Sequence, residues 1–361
     1  MNQFKNKFMT IPTPNYLRAH HPLSPHLAAF IRSTRESITS ILNDDNEKIL
    51  LIVGPCSIHD IKSTIDFATL LKELMPAISK TFFPIMRLYF EKPRSISGWK
   101  GFVSDPYLDC TNDISSGLKM TRQLLIQLAD MGVPTAAEFL EPSSIEYFGD
   151  LISWGCIGAR TVESQIHRQM ASILPMPVGF KNSTNGDITT AISGMLSARM
   201  PHTFIGQNGD GIAAIQRSSG NPTSHLVLRG GSSGPNYDAE SIASAATALT
   251  KVNLPARVIV DCAHDNSFRN HENQPTAFKS IVSQIACGQA TGLKTIKGIL
   301  LESHINCGKQ AFPQNKHQLS YGMSITDPCL SWESTAALIN WGCQHLATTP
   351  TTKATPCHAH L

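Results

Sequence analysis

The sequence predicts a (β/α)8 barrel with an N-terminal extension and an inserted β-hairpin, and three observations support this α/β fold class. The chain has 361 residues, more than the roughly 250 that a closed α/β barrel needs. Short apolar runs alternate with helical stretches. Most of these runs are continuously apolar, which is typical of strands buried on both faces in a parallel sheet covered by helices. A doubly wound open sheet is the alternative that this alternation leaves open.

Nine short runs are the expected strands, and they are residues 49–55, 83–90, 134–139, 156–160, 177–181, 202–206, 225–230, 257–262 and 297–303. Stretches with helical spacing of apolar residues lie between them, at 65–75, 118–132, 188–199 and 239–253. Because the barrel has eight strands, one run is extra. We assign residues 202–206 (HTFIG) together with 211–216 (GIAAIQ) to the inserted hairpin.

The two ends of the chain differ from this repeating pattern. Residues 1–45 are the expected N-terminal extension, which begins as a polar segment outside the core and then has helical spacing of residues such as Ile31 and Ile38. The barrel is expected over residues 46–347. Residues 348–361 read as a disordered tail.

Composition and charge exclude several classes of protein. The formal net charge is only +3, so nothing favours binding to nucleic acid or to a membrane surface. No apolar run approaches the roughly 20 residues of a bilayer-spanning helix, and the first residues lack the features of a secretory signal. The nine cysteines are scattered without a CxxC pair, which is typical of free thiols in a reducing, cytoplasmic compartment.

Charged residues follow the expected strands at the end where barrel enzymes carry their chemistry. Six cations lie there, namely Arg87, Lys92, Arg94, Arg160, Lys181 and Arg229. Such a cluster costs electrostatic repulsion unless an anion neutralises it, and arginine's planar fork matches phosphate and carboxylate oxygens. The cluster is too large for one phosphomonoester. It predicts two phosphorylated substrates, or one substrate with both a phosphate and a carboxylate.

Four potential metal ligands come from distant parts of the chain and converge only if the barrel closes. They are Cys56, His264, Glu302 and Asp327. A thiolate, an imidazole and two carboxylates suit Mn2+, Fe2+, Co2+ or Zn2+ better than Ca2+ or Mg2+. The sequence thus predicts one divalent metal ion. For the nearby His304, ordinary polar packing and a place in the site are equally compatible with the pattern.

Longer blocks of sequence resemble one family. The blocks are GPCSIHD (54–60), RLYFEKPRSISGWKG (87–101), IGARTVESQIHR (157–168), VGFKN (178–182), LVLRGG (226–231), PNYD (235–238), LLESHINCGKQ (300–310) and YGMSITDPCLSWE (321–333). They resemble the type I, microbial 3-deoxy-D-arabino-heptulosonate 7-phosphate (DAHP) synthases. The resemblance spans about residues 30 to 345.

This resemblance implies a transferase reaction. Phosphoenolpyruvate condenses with D-erythrose 4-phosphate and water to give DAHP and phosphate, the first step of the shikimate pathway to the aromatic amino acids. By position, the phosphoenolpyruvate-binding residues are Arg87, Lys92, Arg160, Lys181 and Arg229. The residues that hold erythrose 4-phosphate are Pro93, Arg94, Ser95 and Asp327.

The resemblance implies the same metal ligands, Cys56, His264, Glu302 and Asp327. The implied catalytic residues are Lys92, Glu138, Cys56 and His264, and Lys100 lies in the same mouth. Within this set, Lys92 is a candidate proton donor, and Glu138 is a candidate for orienting the water.

The resemblance also implies an assembly and a regulator. In the family, the N-terminal extension and the hairpin help to build a homodimer or homotetramer and a site for an aromatic amino-acid inhibitor. The hairpin segment departs from the family pattern at 207–211, and Pro175 stands next to the expected inhibitor pocket. We therefore expect feedback control that differs from the usual kind.

One further block departs from the family. The usual DCSHANS or DFSHANS reads DCAHDNS at 261–267, so Ala263 replaces a serine and Asp265 replaces a small residue, while His264 is kept. Asp265 adds a negative charge beside the expected metal site. This predicts a change in metal affinity or in the fit of the aldehyde substrate.

Other functions remain as alternatives. A KDO 8-phosphate synthase shares the barrel and chemistry, but the KPRS and GWKG blocks disfavour it. A Schiff-base aldolase would use Lys181 as its nucleophile, yet this lysine lies among other cations. A non-catalytic homologue that binds phosphoenolpyruvate or an aromatic amino acid is disfavoured by the intact ligand set. A role in specialised metabolism fits the departures as well as a housekeeping role.

Overall fold

Eight parallel strands close into a barrel in the computed structural model, which describes residues 9–94, 96, 98–291, 294–312 and 316–348. The strands in chain order are β1 Ile49–Gly54, β2 Phe82–Arg87, β3 Thr135–Glu138, β4 Trp154–Ile157, β5 Val178–Lys181, β6 His202–Gln207, β7 Ala213–Ser218, β8 His225–Leu228, β9 Val258–Asp261 and β10 Ile296–Glu302. Around the barrel the order is β1-β10-β9-β8-β5-β4-β3-β2, while β6 and β7 form a separate antiparallel hairpin. The predicted barrel and inserted hairpin are confirmed.

Helices alternate with these strands. They are α1 Pro14–His20, α2 Pro25–Leu42, α3 Ile61–Ile78, α4 Ile114–Asp130, α5 Ser144–Phe148, α6 Gln165–Ile173, α7 Thr189–Ala198, α8 Ala239–Lys251, α9 Gln274–Thr291 and α10 Trp332–Thr348. Short 3-10 helices lie at His264–Ser267, His271–Asn273 and Lys316–Gln318. Aspartate caps begin several of the helices, because a carboxylate accepts a backbone N–H that has no partner within the first turn. Asp60 and Asp113 do so for α3 and α4.

The barrel interior is filled by side chains, as expected for this fold. Leu50 and Ile52 of β1 are fully buried there, in one cluster with residues such as Ile259 of β9 and Leu300 of β10. The last turns of α2 contribute Ile38 and Ile41 to the same cluster. Because α2 ends just before β1 begins, it closes the N-terminal end of the barrel and leaves the opposite end for chemistry.

The segment before α2 also packs on the barrel. Leu17 of α1 is 2% exposed and belongs to the main apolar cluster. The Asn15 backbone N–H donates to the Gly209 carbonyl at 2.7 Å, which joins the extension to the hairpin. The Tyr147 hydroxyl of α5 donates to the Pro12 carbonyl at 2.8 Å. Most of the predicted tail, residues 349–361, lies outside the described residues.

The parallel register brings charged side chains to one edge. Arg87, Glu138, Lys181, Asp261 and Glu302 are each the last residue of a barrel strand. All pairs between barrel strands are parallel, so these residues surround the same C-terminal mouth.

None of the helices in the described part of the chain has the length and apolarity that a bilayer crossing requires.

Candidate active site at the C-terminal mouth

Three of the four predicted metal ligands meet at the mouth. One ligand atom each from Cys56, Glu302 and Asp327 lies within 4.8 Å of the other two. His264 lies at the edge of this group, with its Nε2 atom 3.7 Å from Glu302 Oε1. Glu302 Oε1 is buried and accepts no hydrogen bond of good geometry from the described residues. A buried carboxylate oxygen facing a thiol, a second carboxylate and an imidazole fits a divalent first-row metal ion.

Burial and local charge determine the state of the Cys56 thiol. Cys56 is fully buried just beyond β1, and burial raises its pKa, as does the neighbouring Glu302. Lys92 opposes this shift, because its Nζ lies 3.2 Å from the Cys56 sulfur. The thiol therefore needs further positive charge to ionise, and a bound metal ion supplies such charge.

Asp261 is a functional candidate that the sequence analysis missed. Its Oδ2 atom lies 2.8 Å from His264 Nδ1 and 3.0 Å from Lys181 Nζ. Burial by itself raises the pKa of Asp261, but His264 and Lys181 hold it well below its usual range. The carboxylate thus lies on the Nδ1 side of the imidazole and leaves Nε2 towards Glu302, which is where carboxylate partners of metal-bound histidines lie. The sequence could have pointed to Asp261, because it is a charged residue at the end of a continuously apolar strand.

Arg87 is enclosed by protein acceptors. Its Nε donates to the Pro55 carbonyl at 3.1 Å, and its Nη2 donates to the Cys56 carbonyl at 3.2 Å. Nη2 also pairs with Glu302 Oε1 at 2.9 Å, and the guanidinium lies 3.5 Å from the centre of the Tyr89 ring. Nη1 is buried and has no hydrogen-bond acceptor among the described residues. The two N–H groups of Arg87 Nη1 are therefore left without an acceptor in the described part of the protein.

The other predicted cations line a single small cavity of about 90 Å³. Its lining residues are Lys92, Pro93, Arg94, Glu138, Gly158, Ala159, Arg160, Lys181, Thr184, Arg229, His264, Arg269, Thr326 and Asp327. The side chains of Arg94 and Arg160 are exposed, and they lie where the cavity meets the solvent. Lys100 is not part of this lining; its carbonyl accepts the Lys92 backbone N–H at 2.9 Å. Ser95 lies outside the described residues.

Glu138 reaches the cavity because of a glycine on the neighbouring strand end. A Cβ atom on Gly158 would lie 2.0 Å from Glu138 Oε1, a distance that real side chains do not reach. Glu138 is 7% exposed and ends β3, while Gly158 follows β4. The small residue thus leaves space for a carboxylate at the cavity wall.

His304 is part of the packing behind the site. It is 1% exposed, and its ring centre lies 6.1 Å from that of His59 and 6.4 Å from that of Phe67. Burial lowers the pKa of His304 to about 3, so the ring is neutral at physiological pH. Of the two alternatives that the sequence left open, the structure favours packing.

Because of Glu91, which precedes the cavity residue Lys92, we expect the free energy of unfolding to depend on pH. Burial raises its pKa to about 8, although the backbone N–H groups of Leu140 and Glu141 donate to it. The unfolded carboxyl ionises near pH ~4.3, so between that pH and about 8 only the folded chain keeps the proton. The free energy of unfolding therefore falls as pH rises through this window.

Glu91→Gln is expected to remove this dependence and to raise the free energy of unfolding by about 2–4 kcal/mol at pH 7. The measurement is urea denaturation of wild type and variant at pH 5, 6, 7 and 8. Glu73→Gln, at an exposed position of α3, is the matched control. Parallel pH profiles for wild type and Glu91→Gln would contradict the shift.

Comparisons with known proteins agree with this geometry. A model of the DAHP synthetase I family matches residues 29–340. The chain is 43% identical over 327 residues to the Tyr-sensitive phospho-2-dehydro-3-deoxyheptonate aldolase of Escherichia coli (strain K12), covering 91% of this chain and 90% of that protein. It is 45% identical over 322 residues to the tyrosine-inhibited phospho-2-dehydro-3-deoxyheptonate aldolase of Schizosaccharomyces pombe, covering 88% and 86%. The solved phospho-2-dehydro-3-deoxyheptonate aldolase from Francisella tularensis SCHU S4 superimposes with a TM-score of 0.92 at 39% identity, covering 96% of this chain and 100% of that one.

Proposed function

The chain belongs to the DAHP synthetase I family, and we propose that it condenses phosphoenolpyruvate with D-erythrose 4-phosphate and water to DAHP and phosphate. The observation that carries this proposal is the cavity in which six lysine and arginine side chains adjoin the group formed by Cys56, Glu302 and Asp327. Two anionic substrates repel each other, and holding them together is much of the catalytic task. The names of the relatives agree with the activity.

Phosphoenolpyruvate binds, in this proposal, among the cations deepest in the mouth. Lys181 and Arg229 are 2% and 3% exposed and line the cavity. Arg87, at the end of β2, offers the N–H groups of Nη1 to the same anion. Arg160 is exposed at the rim and closes over the anion from the solvent side. Arginine binds phosphate oxygens through paired N–H groups, and lysine adds a compact charge.

Erythrose 4-phosphate binds nearer the rim, against Pro93, Arg94 and Asp327, with Ser95 as the remaining implied contact. Arg94 is held for this role by its Nε, which donates to the Trp99 carbonyl at 2.8 Å. A divalent ion held by Cys56, His264, Glu302 and Asp327 would polarise the aldehyde oxygen as a Lewis acid. Mn2+, Fe2+, Co2+ and Zn2+ all suit this donor set.

The reaction needs one proton donor and one oriented water. A bond forms between C3 of phosphoenolpyruvate and the aldehyde carbon, and the aldehyde oxygen takes up a proton. Lys92 supplies that proton from beside Cys56. Water then adds to C2, which has gained cationic character. The bond between C2 and the phosphate oxygen breaks, the new C2 hydroxyl becomes the keto group of DAHP, and its proton leaves with the phosphate. Glu138, on the cavity wall, orients the water and accepts its proton.

A Schiff-base mechanism fits the contacts less well. Such an aldolase needs a neutral lysine amine as nucleophile. Lys181 Nζ lies 3.0 Å from Asp261 Oδ2, and both side chains are almost fully buried. A lysine held against a buried carboxylate is engaged in an ion pair and is not placed as a free nucleophile for a carbonyl carbon.

The activity is tested by the loss of phosphoenolpyruvate absorbance with erythrose 4-phosphate and Mn2+. We expect consumption that requires both substrates, releases one phosphate per condensation and is abolished by EDTA, because the ligand group lies beside the cavity. Restoring activity with added Mn2+ is the control for damage by the chelator. An enzyme that remains active after EDTA and complete metal removal would exclude the metal role, and absence of consumption with any divalent ion would exclude the reaction.

Regulation and assembly are further parts of the proposal. The relatives named Tyr-sensitive and tyrosine-inhibited support an aromatic amino-acid inhibitor. A second cavity of about 730 Å³ lies between α2 and the segments around 172–177 and 217–223, with Arg32, Arg35 and Pro175 in its lining.

The exposed face of the hairpin, where Ile205 and Ile215 are 86% and 72% exposed, supports burial in a homodimer or homotetramer.

A further inference from the structure

The carboxylate of Asp265 already pairs with Arg229, one of the arginines proposed to bind the substrate anions. Asp265 Oδ2 lies 2.6 Å from Arg229 Nη1, and the same nitrogen donates to the Gly230 carbonyl at 3.2 Å. The two side chains are 17% and 3% exposed. Arg229 thus meets any incoming anion with part of its charge neutralised and one terminal nitrogen engaged.

The backbone fixes this carboxylate in place. The N–H groups of Asp265 and Asn266 both point to the Arg229 carbonyl, at 3.2 and 3.3 Å. Gly230 permits the close approach, since a Cβ atom there would lie 2.6 Å from the Asn266 nitrogen and from the Asp265 carbonyl carbon. Asp265 is therefore held beside Arg229 by its main chain, independently of the ion pair between the side chains.

A second arginine, Arg269, pairs with the same carboxylate. Arg269 Nε donates to Asp265 Oδ1 at 2.8 Å, and Arg269 Nη2 donates to Oδ2 at 3.4 Å. Arg269 is half-exposed and also lines the cavity. Two cations therefore share one carboxylate, and the hold of Arg269 limits how strongly Asp265 neutralises Arg229.

We propose that Asp265 is an internal competitor for the phosphate end of the substrate at Arg229, and that Arg269 sets the strength of this competition. The inference rests on the proposed function for its substrate, a phosphomonoester dianion. Competition weakens the binding of phosphoenolpyruvate and of released inorganic phosphate alike. Its benefit is faster departure of phosphate from a mouth that is otherwise strongly cationic.

The test compares wild type with Asp265→Asn, Arg269→Gln and the double variant, and it uses inorganic phosphate as the probe. Calorimetric dissociation constants are measured on EDTA-treated and Mn2+-saturated protein, because Asp265 adjoins His264. The KM for phosphoenolpyruvate is measured in parallel. Asp130→Asn, at an exposed position of α4, is the control for loss of one negative charge.

We expect Asp265→Asn to tighten phosphate binding, and to lower the KM for phosphoenolpyruvate, by about threefold to tenfold. Arg269→Gln is expected to weaken phosphate binding by about threefold, because it releases Asp265 onto Arg229, and to have almost no effect when Asp265 is already asparagine. Asp130→Asn should change neither constant by more than about 1.5-fold.

Two results would overturn the proposal. Weaker phosphate binding in Asp265→Asn would mean that Asp265 supports Arg229 and does not compete for it. An equal loss on Arg269→Gln in both backgrounds would mean that Arg269 binds the anion directly. A wild-type chain that binds phosphate but consumes no phosphoenolpyruvate would refute the proposed function and leave the competition at Arg229 to be decided by calorimetry.

Discussion

Lys92→Met is expected to lower kcat by about 10³-fold, within the range that a positioned general acid contributes. Lys92 Nζ lies 3.2 Å from both the Cys56 sulfur and the Cys56 carbonyl, and the side chain lines the substrate cavity. Burial alone lowers the pKa of Lys92, but Cys56, Glu302 and Asp327 raise it above its ordinary value overall. The amine therefore carries a proton beside the residues that would hold the metal ion, where the aldehyde oxygen is proposed to be polarised.

A second substitution separates proton donation from charge. Lys92→Arg keeps a cation in the mouth, but a guanidinium with a pKa above ~12 is a poor acid. If Lys92 donates the proton, both variants lose kcat to a similar degree, and Lys92→Arg retains more of the affinity for phosphoenolpyruvate. Recovery of most of kcat in Lys92→Arg would mean that Lys92 contributes a positive charge that binds anions and does not donate the proton. Lys80→Met, at an exposed site before β2, is the control, and metal content is measured for each variant.

The sequence located the strands well because both faces of each barrel strand are buried. The runs at 49–55 and 297–303 became β1 and β10, which are buried along nearly their whole length. Since parallel strands place their ends at one edge, the cations at those ends could be assigned to one mouth in advance. The predicted position of the fourth barrel strand was less accurate. The run at 156–160 was expected to end on Arg160, but β4 is Trp154–Ile157, and Arg160 lies in the following loop, exposed at the rim.

What the sequence could not supply were contacts between loops and strands that are distant along the chain. Arg269 reaches the cavity because Phe268 and Arg269 both adopt left-handed backbone conformations, with φ of 53° and 58°. Left-handed turns are usually signalled by glycine, and none stands there. The expectation that Asp265 acts on the metal or the aldehyde stays a prediction, because its observed partners are Arg229 and Arg269.

Asp261→Asn is expected to reduce both stability and activity, because one buried carboxylate contacts both Lys181 and His264. Asp261 has no exposed surface, and the Lys181 side chain that it neutralises is 3% exposed. Removing one member of a buried ion pair leaves the other charge uncompensated, at a cost of about 3–5 kcal/mol. Urea denaturation measures this loss. The double variant Lys181→Met with Asp261→Asn removes the stranded charge and is expected to regain much of the stability while remaining inactive.

Loss of Asp261 also frees the imidazole of His264, whose Nδ1 lies 2.8 Å from the carboxylate. Outer-shell partners of metal-bound histidines typically contribute about 10- to 100-fold in metal affinity. We therefore expect the Mn2+ dissociation constant to rise by about that factor in Asp261→Asn, measured by competition with a chelating dye. Lys181→Met alone keeps the Asp261–His264 contact, so it should bind Mn2+ normally and fail at phosphoenolpyruvate binding. Equal loss of Mn2+ affinity in both single variants would mean that general disturbance of the mouth, and not orientation of His264, accounts for the effect.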